Sequence, residues 1–124
     1  MVLSHPTITT VGDFPVNIAS FTRHLRAENA SPSTIAIYTG AATRFADFLA
    51  EKGMPLEVAN VRREHVETFI THLLETRKPA TANNRYRSLQ AFFKWLREEG
   101  EIEESPMVHM RPPKIPELAP PILR

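Results

Sequence analysis

The residues best suited to chemistry with a polyanion lie between Ala80 and Arg97. Arg85, Arg87, Lys94 and Arg97 supply cations, Asn83, Asn84 and Gln90 supply amides, Thr81 and Ser88 supply hydroxyls, and no acidic residue interrupts them. Guanidinium and ammonium groups neutralise phosphates, and Asn or Gln can pair bidentately with the edge of adenine, so the mixture suits nucleic acid. Its spacing is helical. Ala82, Tyr86, Leu89, Phe93 and Leu96 recur at three- and four-residue steps and form a stripe for burial. Asn83, Arg87, Gln90 and Lys94 then share an outward face, Thr81, Asn84 and Ser88 flank it, and Arg85 lies nearer the stripe, where its stem packs while its head reaches a phosphate or an internal carboxylate.

A second polar surface lies upstream. Ser31 precedes Pro32, the pairing of an N-cap with a proline in the first helical turn. Ser33, Ile37, Gly40 and Arg44 follow at i, i+4, i+7 and i+11 on one face, away from a core stripe of Ile35, Tyr38, Ala42, Phe45 and Leu49. Ser31 and Thr34 stand at the helix start, where free N–H groups and hydroxyls meet phosphate. The bland reading of each polar residue is a solvated surface, and of Ser31 a cap alone. The absence of acids sets the downstream helix apart from that reading.

These surfaces need a scaffold. The periodicity predicts four helices, over Ile18 to about Glu28, Ser31 to about Lys52, Arg63 to about Arg77 and Ala80 to Glu99. Asn29–Pro32, Gly53, Lys78–Pro79 and Gly100 separate them, and a connector over Met54–Val61 sets Leu56, Val58 and Val61 on the core. Val66, Phe69, Ile70, Leu73 and Leu74 are predicted to face inward on the third helix, and the centre of the core is predicted from Phe45, Leu49, Phe69, Leu73, Leu89 and Phe93. No stretch alternates like a strand, so the fold class is all-α, an orthogonal four-helix bundle. Residues 1–17, broken by Pro6, Gly12 and Pro15, read as a flexible lead, residues 18–104 as the domain and residues 105–124 as a linker, because six of the eleven prolines fall between Pro106 and Pro121.

At 124 residues the chain is long enough for one domain with its own core. A net charge of +1 excludes a binder that works by overall basicity, so any nucleic-acid surface must come from local clustering. There are no cysteines, hence no disulfides or cysteine metal sites. No apolar run approaches a membrane span and no signal-peptide pattern opens the chain, so the expected setting is the cytoplasm, with no membrane partner. His65 and His72 stand seven apart with no third ligand, and no cofactor or metal is expected. Arg62, Arg63, Arg77 and Lys78 read as ordinary surface charges balanced by Glu64, Glu67 and Glu75.

Three signals in order resemble the N-terminal core-binding domain of tyrosine recombinases, the phage-type and Xer-like integrases with a SAM-like fold. They are Ser31-x-x-Thr34-x-x-x-Tyr38, then Ala80-Thr81-x-x-x-Arg85 with Leu89, Phe92-Phe93 and Trp95-Leu96, then Ser105-Pro106-Met107 leading to Pro113-Lys114-Ile115-Pro116 and Pro120-Pro121-Ile122-Leu123. The resemblance covers roughly Ile18 to Leu123. It implies one jaw of a clamp on double-stranded DNA near the strand-exchange site, with other recombinase protomers as partners in the synaptic complex and a monomer when isolated. It implies DNA-binding roles for Ser31, Ser33, Thr34, Ile37, Arg44, Thr81, Asn83, Asn84, Arg85, Arg87, Ser88, Gln90 and Lys94. The family's catalytic arginine, His-x-x-Arg element and nucleophilic tyrosine belong to a second domain. The stretch read here is therefore expected to bind DNA without cutting it, and Tyr38 and Tyr86, both on apolar stripes, are expected to pack. The rival reading is a helical protein-interaction module or a truncated recombinase regulator, which would show a contiguous apolar patch instead of a salt-dependent affinity.

Overall fold

The computed structural model describes residues 12–116. Four helices, α1 (Phe14–Ala27), α2 (Pro32–Glu51), α3 (Arg63–Thr76) and α4 (Pro79–Glu98), are joined by short connections, with a 3-10 turn at Val58–Asn60 between α2 and α3. No strand occurs among the described residues, and the fold is all-α. The chain's own stop signals end the helices. Gly53 (φ 69°) and Gly100 (φ 79°) occupy the left-handed region just past α2 and α4, where a side chain would be strained. Ser31 caps α2, its Oγ accepting from the Thr34 N–H at 3.1 Å. Ser31→Ala is expected to cost about 1 kcal/mol, read as a lower melting temperature with an unchanged far-ultraviolet helix signal.

The helices meet through aromatic rings. Trp95 on α4 lies 5.2 Å from Phe21 on α1, Phe21 lies 5.3 Å from Phe92, and Phe14 bridges Phe92 and Phe45. Phe45 on α2 then meets Phe69 on α3 at 5.2 Å and Phe93 on α4 at 6.0 Å, edge-on. Each such pair adds roughly 0.5–1.5 kcal/mol to the area it buries. All six residues predicted for the centre, Phe45, Leu49, Phe69, Leu73, Leu89 and Phe93, are buried. Leu74 is not. It is 40% exposed, because one more residue along α3 turns it about 100° away from the face that carries Leu73 and Ile70.

The domain extends beyond both of its predicted ends. α1 begins at Phe14 instead of Ile18, with Pro15 inside its first turn, where a missing N–H costs nothing. Phe14 is buried and Asn17 donates from Nδ2 to the Asp13 carbonyl, so residues 14–17 belong to the core-forming helix, not to a lead. Asp13 latches this end to the α2–α3 connection: its Oδ1 accepts from the Val58 N–H at 2.8 Å, and its own N–H donates to the Leu56 carbonyl. Gly12 passes so close to Leu56 that a Cβ there would clash with the Leu56 backbone. Downstream, Ile102 and Met107 are buried in the main core, and a turn over Ser105–Met110 is closed by bonds to the Ser105 carbonyl and hydroxyl and the Met107 carbonyl. Packing therefore continues past residue 104, where a linker was predicted. Proline content marked an irregular backbone correctly but could not reveal that Met107 between the prolines fills a core site. The rest of the predicted lead (1–11) and tail (117–124) lies outside the described residues.

Candidate nucleic-acid interface

α4 packs against both α2 and α3, and the side of it that faces α2 forms a groove of about 590 Å³. Ala36, Ile37, Tyr38 and Arg44 line it from α2, and Thr81, Asn84, Arg85, Arg87 and Ser88 line it from α4. Part of each polar surface read separately from the sequence, Ile37 and Arg44 from one and Thr81, Asn84, Arg85, Arg87 and Ser88 from the other, thus shares one concavity, and no acidic residue lines it. Ile37 stands 56% exposed in this groove. Ile37 and the exposed amide Asn84 line the same groove, an apolar group of the kind that can contact a thymine methyl and a donor–acceptor pair of the kind that can match adenine.

The arginines shape the electrostatics. Among the described residues the ion pairs within 4.0 Å are His24–Glu28 and Arg63–Glu67, so Arg44, Arg85 and Arg87 face the groove without a carboxylate counter-charge at that range. Arg85 is half-buried. Its guanidinium is held below its ordinary value first by burial and then by repulsion from Arg44 and Arg77, although an arginine stays charged in any protein setting. Gly40 opens room for Arg44: a Cβ at that position would stand 2.9 Å from the Arg44 Nη1. The sequence stripe Ser33–Ile37–Gly40–Arg44 therefore contains a glycine that lets an arginine fold back along the helix.

Other predicted residues are less exposed than expected or fall elsewhere, although Ser88 also borders this groove. Asn83 and Ser88, read as outward-facing or flanking, are both buried. Asn83 acts within the protein: its Oδ1 accepts from the Arg87 Nε at 2.8 Å, and its Nδ2 donates to the Pro113 carbonyl at 3.3 Å. It therefore ties the segment after the domain to α4 and fixes the angle at which Arg87 leaves the helix. The tail segment covers a face of α4 that helical periodicity alone leaves open to solvent. Gln90 and Lys94 line a different groove, with Arg97, Glu104 and the Ser105–Val108 turn. Ser31, Ser33 and Thr34 remain at the start of α2, outside the groove lining, and the Ser31 hydroxyl bonds to Thr34 through both its backbone and its side chain. Arg77, which the sequence alone gives as a surface charge, lies close enough for its charge to act on Arg85 from the end of α3. Only the fold brings those two residues together.

His65, His72, Tyr38 and Tyr86 have places in the packing or the helix ends. His65 Nδ1 accepts from the Arg62 N–H at the start of α3, and the His72 ring lies tilted against Phe48, 5.3 Å between centroids. Tyr38 lies parallel to Phe21 at 6.4 Å, and Tyr86 is buried, which agrees with their reading as packing residues.

Residues 18–101 match the family model of the phage integrase N-terminal SAM-like domain. The chain belongs to this family. Among curated relatives of this SAM-like domain, it is 34% identical over 99 residues to the tyrosine recombinase XerC of Oceanobacillus iheyensis, covering 78% of this chain and 32% of that protein. It is 28% identical over 111 residues to the tyrosine recombinase XerC of Chlorobaculum tepidum, covering 85% and 31%, and 29% identical over 102 residues to a tyrosine recombinase of Pseudothermotoga lettingae, covering 80% and 34%. The chain thus spans about a third of the length of the curated relatives it matches. No solved structure matches it. The family match begins and ends inside the packed unit, since Phe14 and Met107, both buried, lie outside it. Among the described residues, no helix of the SAM-like domain is long and apolar enough to cross a membrane.

Proposed function

We propose that this domain grips duplex DNA for a site-specific tyrosine recombinase, with the α2–α4 groove against the duplex, and that strand cleavage and rejoining are carried out by other parts of such a recombinase. The observation that carries the reading is the groove itself: arginines from two helices, an amide and an exposed isoleucine, with no acid in the lining. A protein interface would call for a contiguous apolar patch, whereas here Ala36, Ile37 and Tyr38 share the lining with Arg44, Thr81, Asn84, Arg85, Arg87 and Ser88. Arg44 and Arg87 supply phosphate contacts that set position, and Asn84 and Ile37 supply contacts to base edges. Asn83 serves by holding Arg87. Other recombinase protomers would join through the assembled complex, with this stretch alone monomeric.

The domain's net charge is small, so its affinity for duplex DNA is expected to be weak, in the range of about 10⁻⁴–10⁻⁶ M at physiological salt. With two or three phosphates engaged, raising salt from about 50 to about 200 mM should weaken binding roughly tenfold to fortyfold. Fluorescence anisotropy on a labelled duplex measures this, and amide shifts on DNA addition should cluster at Ile37, Arg44 and Thr81–Ser88. Shifts centred on Glu64–Glu75 of α3 would place the interface elsewhere. No binding even at low salt would leave the protein-interaction reading in its place.

A further inference from the structure

We infer that Arg77, with Arg44 and Arg85, forms a single anion pocket that holds one DNA backbone phosphate at the junction of α2, α3 and α4; this rests on the DNA-binding reading above and adds a residue and a contact to it. Arg44 and Arg85 line two grooves at once. One is the α2–α4 groove, and the other is a smaller groove of about 190 Å³ between α2 and α3 that also takes in Arg77. They therefore stand on the divide between the two, with Arg77 on the far side. A DNA strand leaving the acid-free groove over this divide meets three guanidinium groups from three helices or their ends.

Arg77 is held where it is by the backbone. It caps the C-terminus of α3 in an extended conformation, its N–H donating to the Leu73 carbonyl at 2.7 Å, and only Lys78 separates it from the first residue of α4. A cation at a helix C-terminus complements the helix dipole, and that alone accounts for one arginine here. It does not account for Arg44 and Arg85, which come from the middle of α2 and the second turn of α4. Among the described residues, none of the three has a carboxylate within 4.0 Å, whereas Arg63, on the same helix as the predicted balancing glutamates, pairs with Glu67 at 3.8 Å. Three like charges gathered without such a partner repel one another, and that repulsion adds to burial in depressing Arg85. A tetrahedral phosphate relieves it, since guanidinium forks bond phosphate oxygens in pairs. Asp47 and Glu51 line the α2–α3 groove further along α2, so a polyanion is turned away there and the site takes one phosphate, not a run of them.

The test is a double-mutant cycle on the 124-residue chain with a short labelled duplex at low salt, using Arg77→Ala and Arg44→Ala, both exposed positions. Each variant is expected to bind about tenfold more weakly, with a shallower salt slope. The double variant should lose little more than either single, about threefold instead of the further tenfold that independent sites would show, because both lose the same phosphate. Arg63→Ala should bind like the parent, and circular dichroism should show all variants folded. Full additivity overturns the shared pocket, and so does an Arg77→Ala variant that binds like the parent while the parent keeps its salt dependence; the DNA-binding reading survives both. A loss at Arg63→Ala equal to that at Arg77→Ala reduces the effect to net charge and also overturns the pocket. Absence of any parent binding removes the DNA-binding reading and the pocket with it.

Discussion

Phe93→Ala is expected to lower the unfolding free energy by about 3–5 kcal/mol, most of the stability available to a domain of this size. Phe93 has no exposed surface and sits between α4 and α2, its ring edge-on to Phe45 at 6.0 Å and 5.6 Å from Phe92. Truncation removes the transfer energy of the ring and leaves a cavity walled by aromatic groups, which collapse poorly into empty space. Because Phe45 also contacts Phe69 and Phe14, loosening at this point reaches every helix. Chemical denaturation monitored by far-ultraviolet circular dichroism measures the loss. A midpoint within error of the parent's would mean that Phe93 is not the centre of the core.

The largest effect on binding is expected from Ile37→Asp. Ile37 is 56% exposed, so the substitution should shift stability by less than about 1 kcal/mol. It also sets a carboxylate in a groove that has none, against the polyanionic duplex proposed to fill it and beside the arginines proposed to hold its phosphates. Like-charge juxtaposition across an interface costs several kcal/mol, so affinity for duplex DNA should fall by about a hundredfold, more than for the loss of any one arginine. Anisotropy at about 50 mM salt, beside a melting curve, separates the two effects. A variant that melts normally and binds DNA as the parent does would rule out the α2–α4 groove as the interface.

Much of this was readable from local pattern, for physical reasons. A helix of 3.6 residues per turn writes its buried face into its own sequence, so the stripes through Phe45, Leu49, Phe69, Leu73, Leu89 and Phe93 could be read without a structure. Caps and stops are equally local: Ser31 and Pro32 open α2, and Gly53 and Gly100 follow α2 and α4 with the positive φ that glycine allows. Local pattern also showed that the basic, amide-bearing side of α4 lacks acids, a matter of composition alone.

Everything that depends on which helix lies beside which was decided by the tertiary structure. Periodicity sorts a helix into inside and outside. It does not say which outward residues a neighbouring segment covers, so periodicity alone leaves Asn83 open although the Pro113 carbonyl meets it. Nor can it tell a proline-rich linker from a proline-rich strap whose Met107 fills a core site, or a breaking proline from one in the first turn of α1. The clearest case is the arginine cluster. Arg44, Arg77 and Arg85 are separated in sequence by 33 and 8 residues and belong to three helices or their ends. Charges interact through space, so the sequence determined that this domain has an acid-free basic helix face, and only the packing of α2, α3 and α4 decided which cations meet there.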